Sequence, residues 1–344
     1  KNISTWLNDY IWPLENKIDS DDIYWSSLLG ILELLKSGTT TIVDHYFHAD
    51  KVAEAAKKAG IRGILAETLM DLGKREIPIK KGEDFIKNNE DENLIEPWIG
   101  PHATDTCSKE LLKESKKVSN NYNTGIHIHL SQSKDEVREV KNRYGKTPTE
   151  FLKDQKILGP NTIAAHGIHL TEKEIKILGN TNSSIAHCAI SLSKLDGEVA
   201  PIKNLINEGV TVGIGNDCFT YDMFPELLSV GILNKNSESD PKVLPAKRIF
   251  KMATVNGSKA VKLNSGEIKV GNKADFVLLN SKKHLNNIHS ELVYLINQND
   301  VEYTIVNGEV RYRKGEFPGI NKDKIYDKVK KINKRLIPKK KEDQ

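Results

Sequence analysis

Residues 125–130 read GIHIHL, a short apolar run that carries two histidines at alternating positions. Alternation by two places His127 and His129 on the same face of a strand. Two further runs end in polar groups in the same way, TIAAH at residues 162–166 and TVGIGND at residues 211–217. These runs predict buried strands with chemically useful side chains at their ends. A HxH pair is also typical of structural, hydrogen-bonding histidines, so both interpretations of the pair stay open.

The rest of the chain repeats the same alternation of strand and helix. Four more β-branched or apolar runs predict strands at residues 39–44, 62–67, 97–102 and 184–188. Helices are predicted at residues 4–17, 19–36, 51–60, 108–120, 134–144, 172–178 and 202–208. Because the strands are almost continuously apolar and alternate with helices, they indicate a parallel sheet that helices cover.

A doubly wound sheet and a barrel both fit that pattern. No glycine-rich phosphate loop follows any predicted strand, as a doubly wound nucleotide-binding fold would have. Polar residues stand instead after nearly every strand, where a (β/α)8 barrel carries its active site. His45 and His48, after the strand at residues 39–44, would line the same end. We therefore predict an α/β fold with a TIM-like (β/α)8 barrel. Since only seven strands are found, the first of the eight is expected before Lys1.

The sequence changes in character after a helix predicted at residues 246–263. Residues 266–279 predict a pair of strands, and residues 301–310 predict a hairpin around an Asn-Gly turn, a strong hairpin signal. A charged helix is predicted at residues 322–336. We expect three parts, a barrel domain at residues 1–263, the C-terminal part of a small β-sandwich module at residues 264–320, and a charged helix and tail at residues 321–344.

Composition excludes several classes of partner. The chain has 344 residues with 51 basic and 47 acidic side chains, a net charge of +4, which indicates neither a nucleic-acid nor a membrane partner. Three cysteines without close spacing argue against a disulfide framework and for a reducing compartment. No apolar run approaches the roughly 20 residues of a transmembrane helix. We therefore expect a cytoplasmic protein.

The predicted strand ends supply the groups that a catalytic metal needs. His129, His166 and Asp217 stand at three of them, and neutral imidazole and carboxylate suit zinc or ferrous iron. A water on such an ion needs a base nearby, which a histidine or an aspartate at the barrel mouth can be. His102 and His187 end two further strands. For each of these two, a structural role in the core or a loop is an equal alternative.

The motifs together resemble a known family. WLNDYIWPLE, LLKSGTTTIVD, GPHATDTCS, GIHIHLSQSKDEV, YGKTPTEFL, IAAHGIHLTEKEI, SIAHCAIS, GVTVGIGNDC and KVGNKADFVLL occur in this order. The series is similar to the amidohydrolase superfamily, in the branch of S-adenosylhomocysteine, methylthioadenosine and 5′-deoxyadenosine deaminases and triazine chlorohydrolases. The resemblance covers essentially the whole chain. It implies a metallo-dependent hydrolase barrel with a small β-sandwich module.

The resemblance also implies a metal centre and a reaction. His129 matches a metal-binding histidine, and Asp217 matches a metal ligand that also accepts the proton of the attacking water. His166 matches the catalytic histidine that polarises the water and the leaving group. The implied cofactor is one divalent metal ion, zinc or iron. The implied reaction attacks an aromatic C–N bond with metal hydroxide and releases ammonia.

Further residues are expected to contact the substrate. Glu15 matches a glutamate that binds the substrate ribose in nucleoside deaminases, and His102 matches a substrate-contacting histidine. His187 is also expected at the substrate. Gln132 stands where many members carry a glutamate that protonates a ring nitrogen. Because a glutamine donates a hydrogen bond but transfers no proton, Gln132 weakens the case for purine deamination.

The function expected from the sequence is a metal-dependent aminohydrolase for a purine nucleoside-like or related heterocyclic amine. The substrate is a small molecule, and the resemblance suggests a homo-oligomer. Two alternatives stay open. The family's first-strand HxH pair, which supplies two metal ligands, is expected before Lys1, so a catalytically impaired or N-terminally truncated member is one alternative. Hydrolysis of another C–N or a C–Cl bond of a heterocycle, which Gln132 could suit, is the other.

Overall fold

The computed structural model describes residues 3–73, 75–90, 93–280 and 287–337. Within these residues, a seven-stranded sheet lies among helices, and a separate three-stranded sheet follows it along the chain. The strands of the larger sheet are β1 Thr41–Tyr46, β2 Arg62–Leu69, β3 Ile95–Pro101, β4 Ile126–Leu130, β5 Thr162–His166, β6 Ser184–His187 and β7 Thr211–Ile214.

The order of these strands decides the type of fold. Every strand pairs in parallel with the next one along the chain, from β1 to β7. A doubly wound sheet would reverse its order at a switch point, whereas a barrel keeps its strands in sequence. The predicted TIM-like parallel barrel type is therefore confirmed, with all seven predicted strands in place.

Helices cover the larger sheet and connect its strands. The α-helices are Ile3–Trp6, Trp12–Glu15, Ser20–Lys36, Ala49–Ala59, Ile79–Asn88, Lys109–Asn121, Lys134–Tyr144, Pro148–Asp154, Glu172–Thr181, Ala189–Leu195, Ile202–Asn207, Met223–Ser237, Ala246–Ala253, Val255–Ala260, Ile288–Tyr294 and Lys322–Leu336. A π-helical turn, Leu7–Ile11, joins the first two, and Gln298–Asp300 is a 3-10 turn.

The helix predicted at residues 246–263 is two helices that meet at Thr254. In the described part of the chain, no helix is long and apolar enough to cross a membrane.

The small sheet consists of β8 Phe276–Leu279, β9 Val301–Val306 and β10 Glu309–Arg313, all antiparallel. Asn307 and Gly308 turn β9 into β10 with positive φ angles of 53° and 80°, as the predicted hairpin requires. The strand pair predicted at residues 266–279 is wrong in its first half. The described structure has no strand before Phe276 there. The apolar side chains of Ile268 and Val270, which suggested a strand, are exposed to solvent.

Packing in β4 shows which side chains face the barrel interior. Ile126, Ile128 and Leu130 are fully buried in the core between the sheet and its helices. Because side chains alternate along a strand, His127 and His129 point the other way, into the interior. The register of β4 and β5 pairs Leu130 with His166, so the histidines of both strands lie at one end of the sheet. The three cysteines are free.

Candidate active site

Five imidazoles meet at the carboxyl ends of β1, β3, β4 and β5. They belong to His45, His102, His127, His129 and His166, and the centroids of neighbouring rings lie between 4.8 and 6.3 Å apart. Parallel strands end at one edge of the sheet, which brings the rings of distant segments together. The cluster is thus the point at which the polar strand ends of the sequence converge.

His45 joins this cluster and His48 does not. The His45 ring lies against β3, where its Nε2 is 3.0 Å from the carbonyl oxygen of Gly100. A side chain at Gly100 would clash, since a Cβ there would lie 3.0 Å from this Nε2 and 2.6 Å from the Glu67 carbonyl oxygen. His48 instead directly precedes the helix Ala49–Ala59, as its N-cap residue. The sequence signal for both was only their position after a strand.

His129 is oriented as a metal ligand would be. Its Nδ1 lies 2.7 Å from the His102 carbonyl oxygen, and its backbone N–H donates to the same oxygen at 2.9 Å. A histidine that donates Nδ1–H to a carbonyl keeps the lone pair of Nε2 for a metal, a common arrangement around metal ligands. Burial lowers the pKa of His129, against smaller opposing effects of the His102 carbonyl and Asp217. The ring is therefore in the neutral form that binds metal.

His166 ends β5 in a strained conformation. Its φ is +78°, and non-glycine residues in this region are uncommon and gather at functional sites. The ring is buried, and its Nδ1 has no hydrogen-bond partner in the described residues. Burial lowers the pKa of His166 to about 4, while Asp217 raises it and His129 lowers it further. The site therefore holds a neutral imidazole with an unused nitrogen.

Asp217 follows β7 by three residues and is also in the left-handed region, with a φ of +52°. Its Oδ2 accepts a hydrogen bond from the Ser191 hydroxyl. Ser191 lies in the short helix Ala189–Leu195, whose first turn is held by Glu226: the backbone N–H of Ile190 donates to Glu226 Oε2 at 3.2 Å. Asp217 is thus oriented by Ser191, whose helix is held in turn by Glu226.

The donor chemistry of the site fits a divalent metal ion. His129 and Asp217 offer a neutral imidazole and a carboxylate, and buried Nδ1 atoms of His45, His127 and His166 lack partners in the part of the chain that is described. Among the described residues, however, no group of three or more His, Cys, Asp and Glu side chains is arranged to hold a metal ion. His129 and Asp217, the two residues predicted as metal ligands, would therefore need further ligands to hold such an ion.

Glu15, which was predicted to bind the substrate, lies near the end of β1. Its Oε1 accepts a hydrogen bond of 2.6 Å from the hydroxyl of Tyr46, the last residue of β1. Arg75 lies 3.8 Å from Oε2, and its guanidinium covers the ring of Phe47. Burial raises the pKa of Glu15, against the effects of Tyr46 and Arg75. Glu15 is a half-buried acceptor whose second oxygen is not used by Tyr46.

His102 and its loop form a compact turn after β3. The His102 backbone N–H donates to the Leu69 carbonyl oxygen at 2.9 Å, and its ring Nδ1 lies 2.8 Å from the Thr106 hydroxyl. Burial, followed by the proximity of His129 and His166, lowers the pKa of His102 well below its usual range. The sequence indicated His102 but gave no signal for Thr106, four residues later.

Gln132 and His187 occupy different surroundings. Gln132 is half-buried, and its backbone N–H donates to Glu136 Oε2 at 2.9 Å. His187 is fully buried at the end of β6, and neither of its ring nitrogens has a partner within the described ranges. Burial, with a smaller effect of His166, lowers the pKa of His187 to about 4. Gln132 is more open to a substrate than His187 is.

Comparison with known proteins gives a consistent family. The profile of the amidohydrolase family matches residues 2–311. A 5-methylthioadenosine/S-adenosylhomocysteine deaminase of Pyrococcus furiosus is 40% identical over 343 residues, which covers 96% of this chain and 82% of the relative. A 5′-deoxyadenosine deaminase of Methanocaldococcus jannaschii is 40% identical over 341 residues, 95% of this chain and 81% of the relative.

A solved structure agrees with these relatives. The zinc-bound adenosine deaminase of Xanthomonas campestris superposes with a TM-score of 0.93 at 25% sequence identity. The match covers 98% of this chain and 80% of that one. Relatives found by sequence and a neighbour found by structure therefore lead to the same kind of protein.

Proposed function

The chain belongs to the amidohydrolase family, and from that membership and its site we propose that it is a metal-dependent aminohydrolase for purine nucleoside-like amines. The two sequence relatives are deaminases of adenosines altered at the 5′ position, so this is the substrate class that we propose. One observation carries the proposal. The rings of His129 and His166 lie at one edge of the sheet with their centroids 5.4 Å apart, and both, held neutral by burial, are within electrostatic reach of Asp217.

His129 and Asp217 would hold one divalent ion, zinc or iron, through an imidazole nitrogen and a carboxylate oxygen. When bound, the ion supplies a Lewis acid and lowers the pKa of a water molecule. The zinc in the Xanthomonas neighbour supports this choice. The hydrogen bond from His129 Nδ1 to the His102 carbonyl oxygen fixes which nitrogen is offered.

The proton transfer is assigned to Asp217, and the orientation of the reacting groups to His166. Because its pKa is about 4, His166 is neutral near pH 7 and would orient the attacking water and the departing amino group through hydrogen bonds. Asp217 would accept the proton of the attacking water and pass it to the departing amine. Ser191 donates to one oxygen of Asp217, and the remaining lone pairs of the carboxylate are left for the ion and for this proton.

Substrate binding is assigned to residues around these two. Glu15, held by Tyr46 at one oxygen, would accept hydrogen bonds from ribose hydroxyls. His102 and His187 would contact the substrate from β3 and β6. Gln132 would donate a hydrogen bond to the purine ring. An amide cannot transfer a proton to that ring, so we expect turnover slower than a carboxyl group would give there.

Ammonia release from a panel of nucleosides tests the proposal. The full-length protein, loaded with zinc or with ferrous iron, is given adenosine, 5′-deoxyadenosine, 5′-methylthioadenosine and S-adenosylhomocysteine. We expect ammonia and the matching inosine product from at least one 5′-altered adenosine. Inosine itself, which lacks the amino group, is the control. No ammonia from any of these amines would contradict the proposal and favour the catalytically impaired alternative.

The homo-oligomer and the cytoplasmic location expected from the sequence stay predictions. The oligomer is tested by light scattering on the full-length protein, where a mass equal to one chain would contradict it.

A further inference from the structure

The His102 ring contacts, at one nitrogen, a hydroxyl whose single hydrogen also has a carbonyl acceptor within reach. His102 Nδ1 lies 2.8 Å from Thr106 Oγ1, and Thr106 Oγ1 donates to the Ala103 carbonyl oxygen at 3.4 Å. A threonine hydroxyl carries a single hydrogen but can also accept. When that hydrogen points to Ala103, the hydrogen between His102 and Thr106 comes from Nδ1. In the neutral ring, Nε2 then carries a lone pair.

We propose that Thr106 is a positioning residue that fixes His102 in its Nδ1–H tautomer and so presents Nε2 as a hydrogen-bond acceptor to the substrate. The inference rests on the proposed function for the identity of the ligand, a nucleoside amine. Such a substrate carries hydroxyl and amino hydrogens that an acceptor at this place would bind. The other tautomer would present a donor, which offers these hydrogens no acceptor.

The backbone of His102 is fixed by its own hydrogen bonds, so the contact with Thr106 determines the orientation of the ring. The His102 N–H donates to the Leu69 carbonyl oxygen, and the His102 carbonyl oxygen accepts from both the backbone N–H and the Nδ1 of His129. The His102 backbone is therefore fixed, and only its side chain is left to orient. A hydrogen bond at Nδ1 is what selects one ring orientation and one tautomer.

Thr106 is itself anchored. Its carbonyl oxygen accepts from the backbone N–H groups of Asp71 and Leu72, at 3.2 and 3.0 Å. The Asp71 carboxylate in turn accepts from the backbone N–H of Ser108 at 2.7 Å. The loop after β3 thus holds the hydroxyl in place before any ligand arrives, which is the preorganisation that a binding site needs.

Nitrogen-15 NMR of histidine-labelled, zinc-loaded, full-length protein reads the tautomer directly. Spectra are taken at about pH 8, above the ordinary histidine pKa of about 6.5, and His102→Asn identifies the His102 signals by their loss. We expect the Nδ1–H form of His102 in the wild type and in Thr106→Ser. In Thr106→Val, which removes the acceptor, we expect a mixture or the Nε2–H form.

Thr149→Val is the matched control. Thr149 is a fully buried threonine in the helix Pro148–Asp154, and its hydroxyl has no partner in the described chain. This variant should leave the His102 signals unchanged. An Nε2–H ring in the wild type, or the same tautomer in wild type and Thr106→Val, would overturn the inference.

Kinetics provide the second readout. In Thr106→Val, the substrate should lose His102 Nε2 as a hydrogen-bond acceptor. We expect this loss to raise KM by about 5- to 10-fold and to change kcat by less than about 2-fold. Thr106→Ser should restore the wild-type KM. An unchanged KM in Thr106→Val would overturn the role in binding. The NMR result requires no turnover, so it decides the role of Thr106 even if no amine proves to be a substrate.

Discussion

Gln132 is the one predicted catalytic residue whose side chain cannot transfer a proton. Its backbone is fixed, because its N–H donates to Glu136, a buried carboxyl group that also accepts from the Thr104 hydroxyl. Burial, with a smaller effect of Asp105, raises the pKa of Glu136. Gln132 follows Leu130, the last residue of β4, by two positions. A carboxyl group in its place would add a proton that can be transferred.

Replacing Gln132 with glutamate should therefore speed deamination. General acid catalysis typically contributes about 10²- to 10⁴-fold, so we expect Gln132→Glu to raise kcat for the best nucleoside at least about 10-fold near pH 7. The measurement is the rate of ammonia release. Gln132→Asn, an amide of shorter reach, is the control and should not gain activity. An equal or lower rate in Gln132→Glu would show that ring protonation does not limit turnover.

At the scale of single residues, the sequence indicated the histidines better than their partners. His102, His129 and His166 stand at the ends of apolar runs, and parallel strands bring such ends together by their geometry. Thr106 and Ser191 could not be found in this way, because each acts through a hydrogen bond to a side chain that only the folded loops bring near. The catalytic and binding roles of the predicted residues stay predictions.

Among the elements, the short helix Ala189–Leu195 depends on a distant carboxylate. Glu226, on the helix Met223–Ser237, is completely buried and accepts the N–H of Ile190, while its Oε1 has no partner in the described structure. Burial, with a smaller effect of Asp217, raises the pKa of Glu226 to about 7. The group that holds the first turn of Ala189–Leu195 is therefore titratable and out of water.

The pH dependence of stability follows from this shift. A glutamate has a pKa of about 4.3 in the unfolded chain, so between there and pH 7 the folded protein binds the proton and the unfolded chain does not. The contribution of Glu226 to the free energy of unfolding should then fall as pH rises through this window and level off above it. Glu226→Gln, which does not titrate, should remove up to about 3 kcal/mol of that fall. Urea unfolding of both proteins from pH 5 to pH 8 measures it; parallel curves would contradict the account.

Strands were predicted more reliably than the elements after β7. Runs such as TIAAH are apolar because both faces of a parallel strand are covered, so the local sequence carries the signal. Residues 266–270 also alternate apolar and polar side chains, yet Ile268 and Val270 stay exposed. A strand needs a neighbour to pair with, and whether one is present is a property of the whole fold. The helix Met223–Ser237 was not predicted either. It lacks a strong apolar stripe, so its local sequence carries little helical signal.

At the scale of the whole molecule, a buried ion pair joins the small sheet to the barrel. Arg62, at the start of β2, donates from Nε and Nη2 to the two carboxylate oxygens of Asp275, at 2.8 and 3.0 Å. The Asn307 backbone N–H also donates to Asp275, at 2.7 Å. The sequence alone could not pair residues 213 positions apart. We propose that a domain boundary follows residue 263 and that this ion pair holds the barrel and the small β module together. The charged helix that begins at residue 322 would follow as a third part.

Removing the charge of Asp275 should be costly. Asp275→Asn leaves the Arg62 guanidinium buried without its counter-charge, and breaking a buried pair in this way costs about 3–5 kcal/mol. Asp84→Asn is the control. Asp84 and Lys80 form an exposed pair at 3.1 Å, so its loss should cost less than about 1 kcal/mol. Urea unfolding gives both values, and equal effects of the two substitutions would contradict the structural role of the buried pair.

Metal-dependent deamination is assigned to His129, His166 and Asp217. Its most direct test is the rate of ammonia release from 5′-deoxyadenosine by the full-length protein loaded with zinc, stripped by a chelator, and reloaded. We predict that stripping lowers the rate at least about 100-fold, that zinc restores it, and that Asp217→Asn stays at least about 100-fold slower even with zinc. No ammonia from the loaded wild type, or equal rates in the loaded, stripped and Asp217→Asn proteins, would contradict it.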